Sequence, residues 1–445
     1  MNGLEEIPHP ADCHDEPSAP ALNLPEAFWN ERPWLKQIRD AAWVRIASPD
    51  AVLGAFLARY AAAVPPQYQI PPIVGSHATF DHLSVIVSDS AGGKSSGTTI
   101  ARELFPAINE TNTIWDFPCP SGEGLIEAFF ELVEREEGKK GKEKKQTRRA
   151  VHFQIDEADA LVASAHRQGA TIASVLCSAW AGQTLGQGNA ARETRRVIQA
   201  GTGRVTGIMG IQTDLGHQLM TEKLVTQGLT GRMLFFHGTD PTVPPIDHLP
   251  GWPGTLQVDW LRDDPPQPVF EYPASVVAEV RQARWQVVTG AVTESPVEGH
   301  QRLARLKLAG LFAAIEERTQ VTESDWALAG QIVTTSSKLR DVMRHRGIEQ
   351  KKRASIEKGR ADGLRQFNAD EVFDRHHVER RAAWVRDRIK SRGDQTRKQL
   401  VQASGSKNRQ YLDQAIELAA LNGWISTWPE PNRTGSESLM IGSPQ

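Results

Sequence analysis

Leu83-Ser84-Val85-Ile86-Val87-Ser88-Asp89-Ser90-Ala91-Gly92-Gly93-Lys94-Ser95 is the stretch on which the reading of this chain turns. A short β-branched run ends in small residues. Gly-Lys-Ser follows, and then a helical pattern through Thr98, Ile100, Ala101 and Leu104. Strand, small-residue loop and helix in that order are the context a phosphate-binding loop requires, although Ser88 stands where the motif usually opens with Gly. Backbone N–H groups at a helix start form an anion-binding concavity, and small residues let that backbone approach phosphates. On this reading Ser90, Ala91, Gly92, Gly93, Lys94, Ser95 and Ser96 form the nucleotide cradle. Lys94 reaches the phosphates, and the Ser95 hydroxyl is a ligand for Mg²⁺. The plainer alternative is a tight strand-to-helix turn with an exposed lysine.

Ala150-Val151-His152-Phe153-Gln154-Ile155-Asp156-Glu157 reads as a buried strand ending in adjacent carboxylates, Asp156 standing 62 residues beyond Lys94 (156 − 94). In phosphate-loop ATPases the Asp at such a strand end holds the Mg²⁺ shell, and a following Glu polarises the attacking water. A strand ending in a solvated acidic turn is the bland reading; the pairing with Gly93-Lys94-Ser95, in that order, favours an ATPase. Further strands are expected at Thr113–Phe117, Arg204–Ile211 and Met233–Phe236. Strands interleaved with helices imply a parallel α/β sheet flanked by helices. A helix is expected over Leu125–Val133, and the charged, Gly-interrupted run Gly138–Lys145 reads as a solvated loop.

Around this core the chain divides by composition. Residues 1–24 are acidic and Pro-rich, the pattern of a disordered tail. Residues 25–72 form a helical region whose Trp and Phe side chains are expected to pack in a core, and 73–245 are the sheet domain. A Pro-rich connector and amphipathic helices occupy 246–343, and 344–378 is a basic linker or extended helix. Residues 379–445 read as three helices and a hairpin, the pattern of a winged helix, which serves either to bind DNA, with Lys407 and Arg409 opening the third helix as the contacts, or to dock a protein.

The 445 residues carry a net charge of −3, so the molecule as a whole is no basic nucleic-acid coat. Between Arg340 and Arg409, however, basic side chains outnumber acidic ones by roughly two to one. No apolar run is long enough to span a membrane. Cys13, Cys119 and Cys177 lack metal-ligand spacing, and with no signal-peptide pattern the expectation is a reducing cytoplasm.

With these residues assembled, the chain resembles the AAA+ replicative helicases of bacteriophages and mobile elements over roughly residues 25–345. The resemblance is carried by the two motifs above together with four further stretches. These are Ser121-Gly122-Glu123-Gly124-Leu125, Leu185-Gly186-Gln187-Gly188-Asn189, Gly207-Ile208-Met209-Gly210-Ile211-Gln212 and Gly228-Leu229-Thr230-Gly231-Arg232-Met233. The trailing helices are similar to the lid and winged helix of minichromosome-maintenance helicases. The resemblance implies ATP and Mg²⁺ as cofactors, with Ser95 and Asp156 on the metal and Glu157 on the attacking water. It further implies Gln212 as a phosphate sensor, Arg232 as an arginine finger acting in a neighbouring subunit, and Arg302 or Arg305 as the lid arginine. Arg192, Arg195 and Arg196 would grip DNA from a hairpin facing a ring channel. The expected assembly is a homo-oligomeric ring, a hexamer, working beside a separate primase or polymerase. Two rival readings share the site: an AAA+ initiator or helicase loader that does not unwind, and a DNA-binding regulator with a degenerate nucleotide site.

Overall fold

A computed structural model describes residues 22–89, 93–108, 110–118, 121–135, 141–257, 268–295, 297–431 and 439–444. Ser90, Ala91, Gly92, Cys13 and Cys119, singled out above, lie outside the described residues.

Five parallel strands form the central sheet, in the spatial order Thr113–Pro118, Ala150–Ile155, Arg204–Gln212, His82–Ser88, Met233–His237. Parallel neighbours need crossovers, and the intervening helices supply them. Every residue of His82–Ser88 is buried, as expected for a strand covered on both faces, and its buried His82 and Ser84 side chains hydrogen-bond each other at 2.9 Å. The helix Pro49–Ala63 is buried along its whole length and packs on the sheet. Pro opens it at the first turn, where a missing N–H costs nothing. Gly54 allows its close approach, because a Cβ there would stand 2.5 Å from the Phe236 ring.

The chain folds as two compact units, residues 1–349 and 350–445. In the first, one hydrophobic core joins Phe28, Trp34 and Phe56 to the sheet residues Val85 and Phe235 and to Leu308, Phe312 and Leu339. It thus takes in segments that composition alone divides into N-terminal region, sheet domain and lid. The aromatic side chains of the N-terminal helices do pack in this core: Phe28, Trp29, Trp34 and Phe56 are buried.

The second unit has its own core of Ala382, Val385, Ile389, Leu400, Leu412, Ile416 and Ile441. Three short strands, Gln395–Thr396, Leu439–Gly442 and Ser426–Pro429, form an antiparallel sheet in that order. Thr396 caps the helix Arg397–Ala403 with a reciprocal Thr396–Gln399 capping box. The segment expected as one helix from Lys407 is split, with a 3-10 turn over Ser406–Tyr411 and an α-helix over Leu412–Leu421. The basic 344–376 segment is helical, part of a single helix from Glu323 to Arg392.

One sequence expectation fails outright. The helix expected over Leu125–Val133 ends at Glu127, and Phe130–Glu134 pairs instead with Lys142–Gln146 as an antiparallel hairpin. Residues 138–140 of the charged run read as a solvated loop lie outside the described residues, and Lys142–Lys145 of that run belong to the returning strand. Its lysines find acids across the ladder: Glu131 lies opposite Lys145, and Lys142 is 3.6 Å from Glu134. Opposite charges facing each other stabilise such pairs, which a helical pattern cannot register.

Candidate active site at the carboxyl ends of the strands

Parallel register sets the site. Ser88 lies beside Gln212, and Ile155 beside Met209, so three neighbouring strands end together. In open α/β sheets, ligands bind outside such carboxyl ends. Gly93 precedes the helix Lys94–Leu104 with φ +82°, a left-handed conformation that glycine adopts without steric penalty. The chain can therefore turn sharply from loop to helix, and Lys94 becomes the first helical residue.

The Lys94 Nζ donates to both carboxylate oxygens of Glu157, at 2.9 and 3.1 Å. Ile86, Lys94, Ser95, Thr98, Asp156 and Gly210 line one small cavity between the loop helix and the strand ends. Gly210 is required where it stands: a Cβ there would come within 2.5 Å of the Asp156 carbonyl and 3.3 Å of Lys94 Cδ. The Gly210 carbonyl in turn accepts from the Ala158 N–H at 2.7 Å, tying the acidic turn to the central strand.

Asp156 is oriented by a chain of contacts across the sheet. Gln154 Nε2 donates to Asp156 Oδ1 at 2.8 Å, and Arg102 donates to Gln154 Oε1 at 3.2 Å. Asp116 receives both Arg102, at 3.1 Å, and the buried Arg59, at 2.7 Å. Gln154 supports the carboxylate from two residues before it in the chain, and Arg102 joins only once its helix packs beside the strand.

The Ser95 and Ser96 hydroxyl-bearing residues are exposed, and Ser95 shares the cavity with the Asp156 carboxylate. Both are hard oxygen donors. Among the described residues no three His, Cys, Asp or Glu side chains cluster as metal ligands. This donor set fits Mg²⁺, which takes one or two protein oxygens and fills its octahedron with phosphate and water.

The other expected residues lie elsewhere. Arg232 is half-buried: it donates to the Gly228 carbonyl at 2.7 Å, and its guanidinium carbon is 5.5 Å from the Trp180 ring centre. Burial pulls its pKa down, and together with burial its charge holds the neighbouring His300 down at about 4. Arg305 lies on Trp326, 3.8 Å from the ring centre, and pairs with Glu279 at 3.3 Å, while Arg302 pairs with Glu294. Both line a separate cavity of about 650 Å³ with Lys338 and Thr335, and it shares no lining residue with the Lys94 cavity. A further basic side chain near the strand ends is Arg346, 3.9 Å from Asp89 and 3.8 Å from Asp214. It sits in the run read as linker, where nothing in the local pattern distinguishes it from its neighbours.

Leu185–Gln187 and Arg196–Ile198 form a short antiparallel hairpin, with Arg192 and Arg195 exposed at its end and Arg196 partly covered. Its neighbour is the unexpected Phe130–Gln146 hairpin. Ion pairs Arg192–Glu143 and Arg135–Glu193, each 3.4 Å, join the two, and Glu127 receives both Lys144 and Arg196. In the second unit Lys407 and Arg409 are exposed on the 3-10 turn.

No helix among the described residues is long and apolar enough to cross a membrane. Neither a family model nor a curated protein matches the chain.

Proposed function

We propose that the chain is an ATP-hydrolysing DNA translocase or helicase that works as a homo-oligomeric ring, with an AAA+ core, a helical lid and a C-terminal winged helix. The observation that carries the reading is the convergence of Lys94, Ser95, Asp156 and Glu157 at the ends of neighbouring parallel strands. Those are the groups that phosphoryl transfer to water needs: a cation for the phosphates, oxygen donors for Mg²⁺ and a base.

On this reading Ser95 and Asp156 would hold Mg²⁺, which would neutralise phosphate charge. Lys94, paired with Glu157 in the structure, transfers to the more highly charged phosphates. The Glu157 carboxylate is then released to take a proton from water, so the ion pair keeps the base occupied until nucleotide binds. Gln212, beside Ser88 in register, supplies a side-chain amide at the strand ends. Arg346 supplies positive charge in cis, a role its place beside Asp89 supports better than the pairings of Arg302 and Arg305 do. Arg232 is assigned to a neighbour's site by resemblance. It must leave its hold on Gly228 to act there.

The exposed arginines of the hairpin supply DNA contact. DNA-stimulated ATP turnover and strand separation on a forked substrate test the whole reading. Turnover with strand separation is expected. Turnover without it would favour an initiator or loader, and DNA binding without turnover would favour a regulator with a degenerate site.

A further inference from the structure

Between Lys351 and His376 the long helix stands exposed all round, apart from Asp370, whose side chain lies outside the description. It is not uniformly polar. At 100° per residue, Ile356, Gly359, Gly363, Leu364 and Phe367 fall on one side, with the three large apolar side chains 56, 63 and 65% exposed and Arg360 as the one charged residue interspersed among them. Val372 lies off this side, and Phe373 leans on His377, which stacks on Tyr411. A helix with an apolar stripe buries it against something, because packing of that face is what stabilises amphipathic helices in water.

Charge along the same segment is divided. Lys351, Lys352, Arg353, Lys358 and Arg360 crowd its first part with Glu357, while Asp362, Asp370, Glu371 and Asp374 follow with Arg365 and Arg375. Laid parallel, two such helices would set the basic part on the basic part. Laid antiparallel, they set basic on acidic. We propose that the stripe binds the same stripe of a second copy of this chain, antiparallel. Ile356 then meets Phe367 of the second copy, Gly359 receives its Leu364, and Lys352 faces its Glu371. The glycines let the two backbones come close, and Glu371 is otherwise held only loosely, 3.7 Å from Arg375 on the surface. Such a contact is self-complementary and closes at two chains, so it is a different interface from the one that would build a ring.

Sedimentation of the full chain without nucleotide or Mg²⁺ tests this. The wild type is expected to dimerise at micromolar concentration, and Phe367→Glu to weaken dimerisation at least tenfold with an unchanged helical circular dichroism signal. Lys352→Glu and Glu371→Lys should each weaken it, and the two combined should restore it. Nineteen residues of helix span about 28 Å, so that rescue can act only between chains. A wild type that stays monomeric, a Phe367→Glu chain that assembles like the wild type, or a double exchange that fails to restore pairing would each overturn the proposal.

Discussion

At the scale of residues, the proposed chemistry is concentrated on the Lys94–Glu157 pair and on Gly210, where a Cβ would press on the Asp156 carbonyl. Glu157→Gln keeps the shape and removes the base, so nucleotide binding should persist while hydrolysis falls by about 10²–10⁴-fold. Equilibrium binding and single-turnover phosphate release check this, and a variant that hydrolyses like the wild type would remove Glu157 from the mechanism. Gly210→Ala forces a methyl group against the Asp156 carbonyl. Its expected cost is about 1–3 kcal/mol of stability together with loss of turnover, readable by denaturant titration and assay of the same sample. Lys94, Ser95, Asp156 and Glu157 were legible in the sequence because short motifs carry them. Gln154 was not, because no motif marks it although it stands two residues before Asp156; Arg102 and Arg346 were not, because they come to the strand ends from helices that only the fold brings there.

Among the elements, the five sheet strands were readable from their apolar runs, and their neighbours were not. Nothing in the strand sequences says that Arg204–Gln212 lies between the phosphate-loop strand and the Asp-Glu strand. The pairing of Phe130–Glu134 with Lys142–Gln146 was missed for a related reason: its returning strand is charged and carries no hydrophobic period. The adjacent hairpin carries a prediction of its own. Replacing Arg192 and Arg195 by Ala should leave basal ATP turnover unchanged and weaken DNA binding. For every DNA phosphate left without its arginine, the slope of log K against log salt should become shallower by about 0.7 for single strands. A salt-titrated binding assay that returns the wild-type slope would take the hairpin out of DNA binding.

The helix Pro49–Ala63 carries a second prediction at this scale. Asp50 in its first turn is fully buried and accepts from the Leu24 N–H at 3.1 Å. Burial raises its pKa from 3.8 to about 8, with Asp240 pushing the same way. The folded state therefore holds the proton more tightly than the unfolded state. Stability from this group is complete below pH 4 and is lost as pH rises toward and through 8. Asp50→Asn keeps the acceptor and removes the titration, so its stability should change less between pH 5 and 9 than that of the wild type. Parallel melting curves decide this; identical pH dependence would mean that Asp50 titrates normally.

For the whole molecule, the first unit shares one core from the N-terminal helices to the helix beginning at Glu323, so no part of it is expected to fold when cut at residue 72 or 245. Composition suggested boundaries there because Pro-rich stretches punctuate the chain, and punctuation does not reveal whether the segments share a core. The proposed ring would be a property of several chains. If Arg232 acts in the neighbour's site, Lys94→Ala and Arg232→Ala chains, each inactive, should recover turnover when mixed.

The central claim is that the Lys94 cavity hydrolyses ATP. Steady-state phosphate release by wild type and Lys94→Ala, with Mg²⁺ and single-stranded DNA, tests it most directly. DNA-stimulated turnover by the wild type and a loss of at least a hundredfold in the variant are predicted; equal rates in the two would contradict the claim.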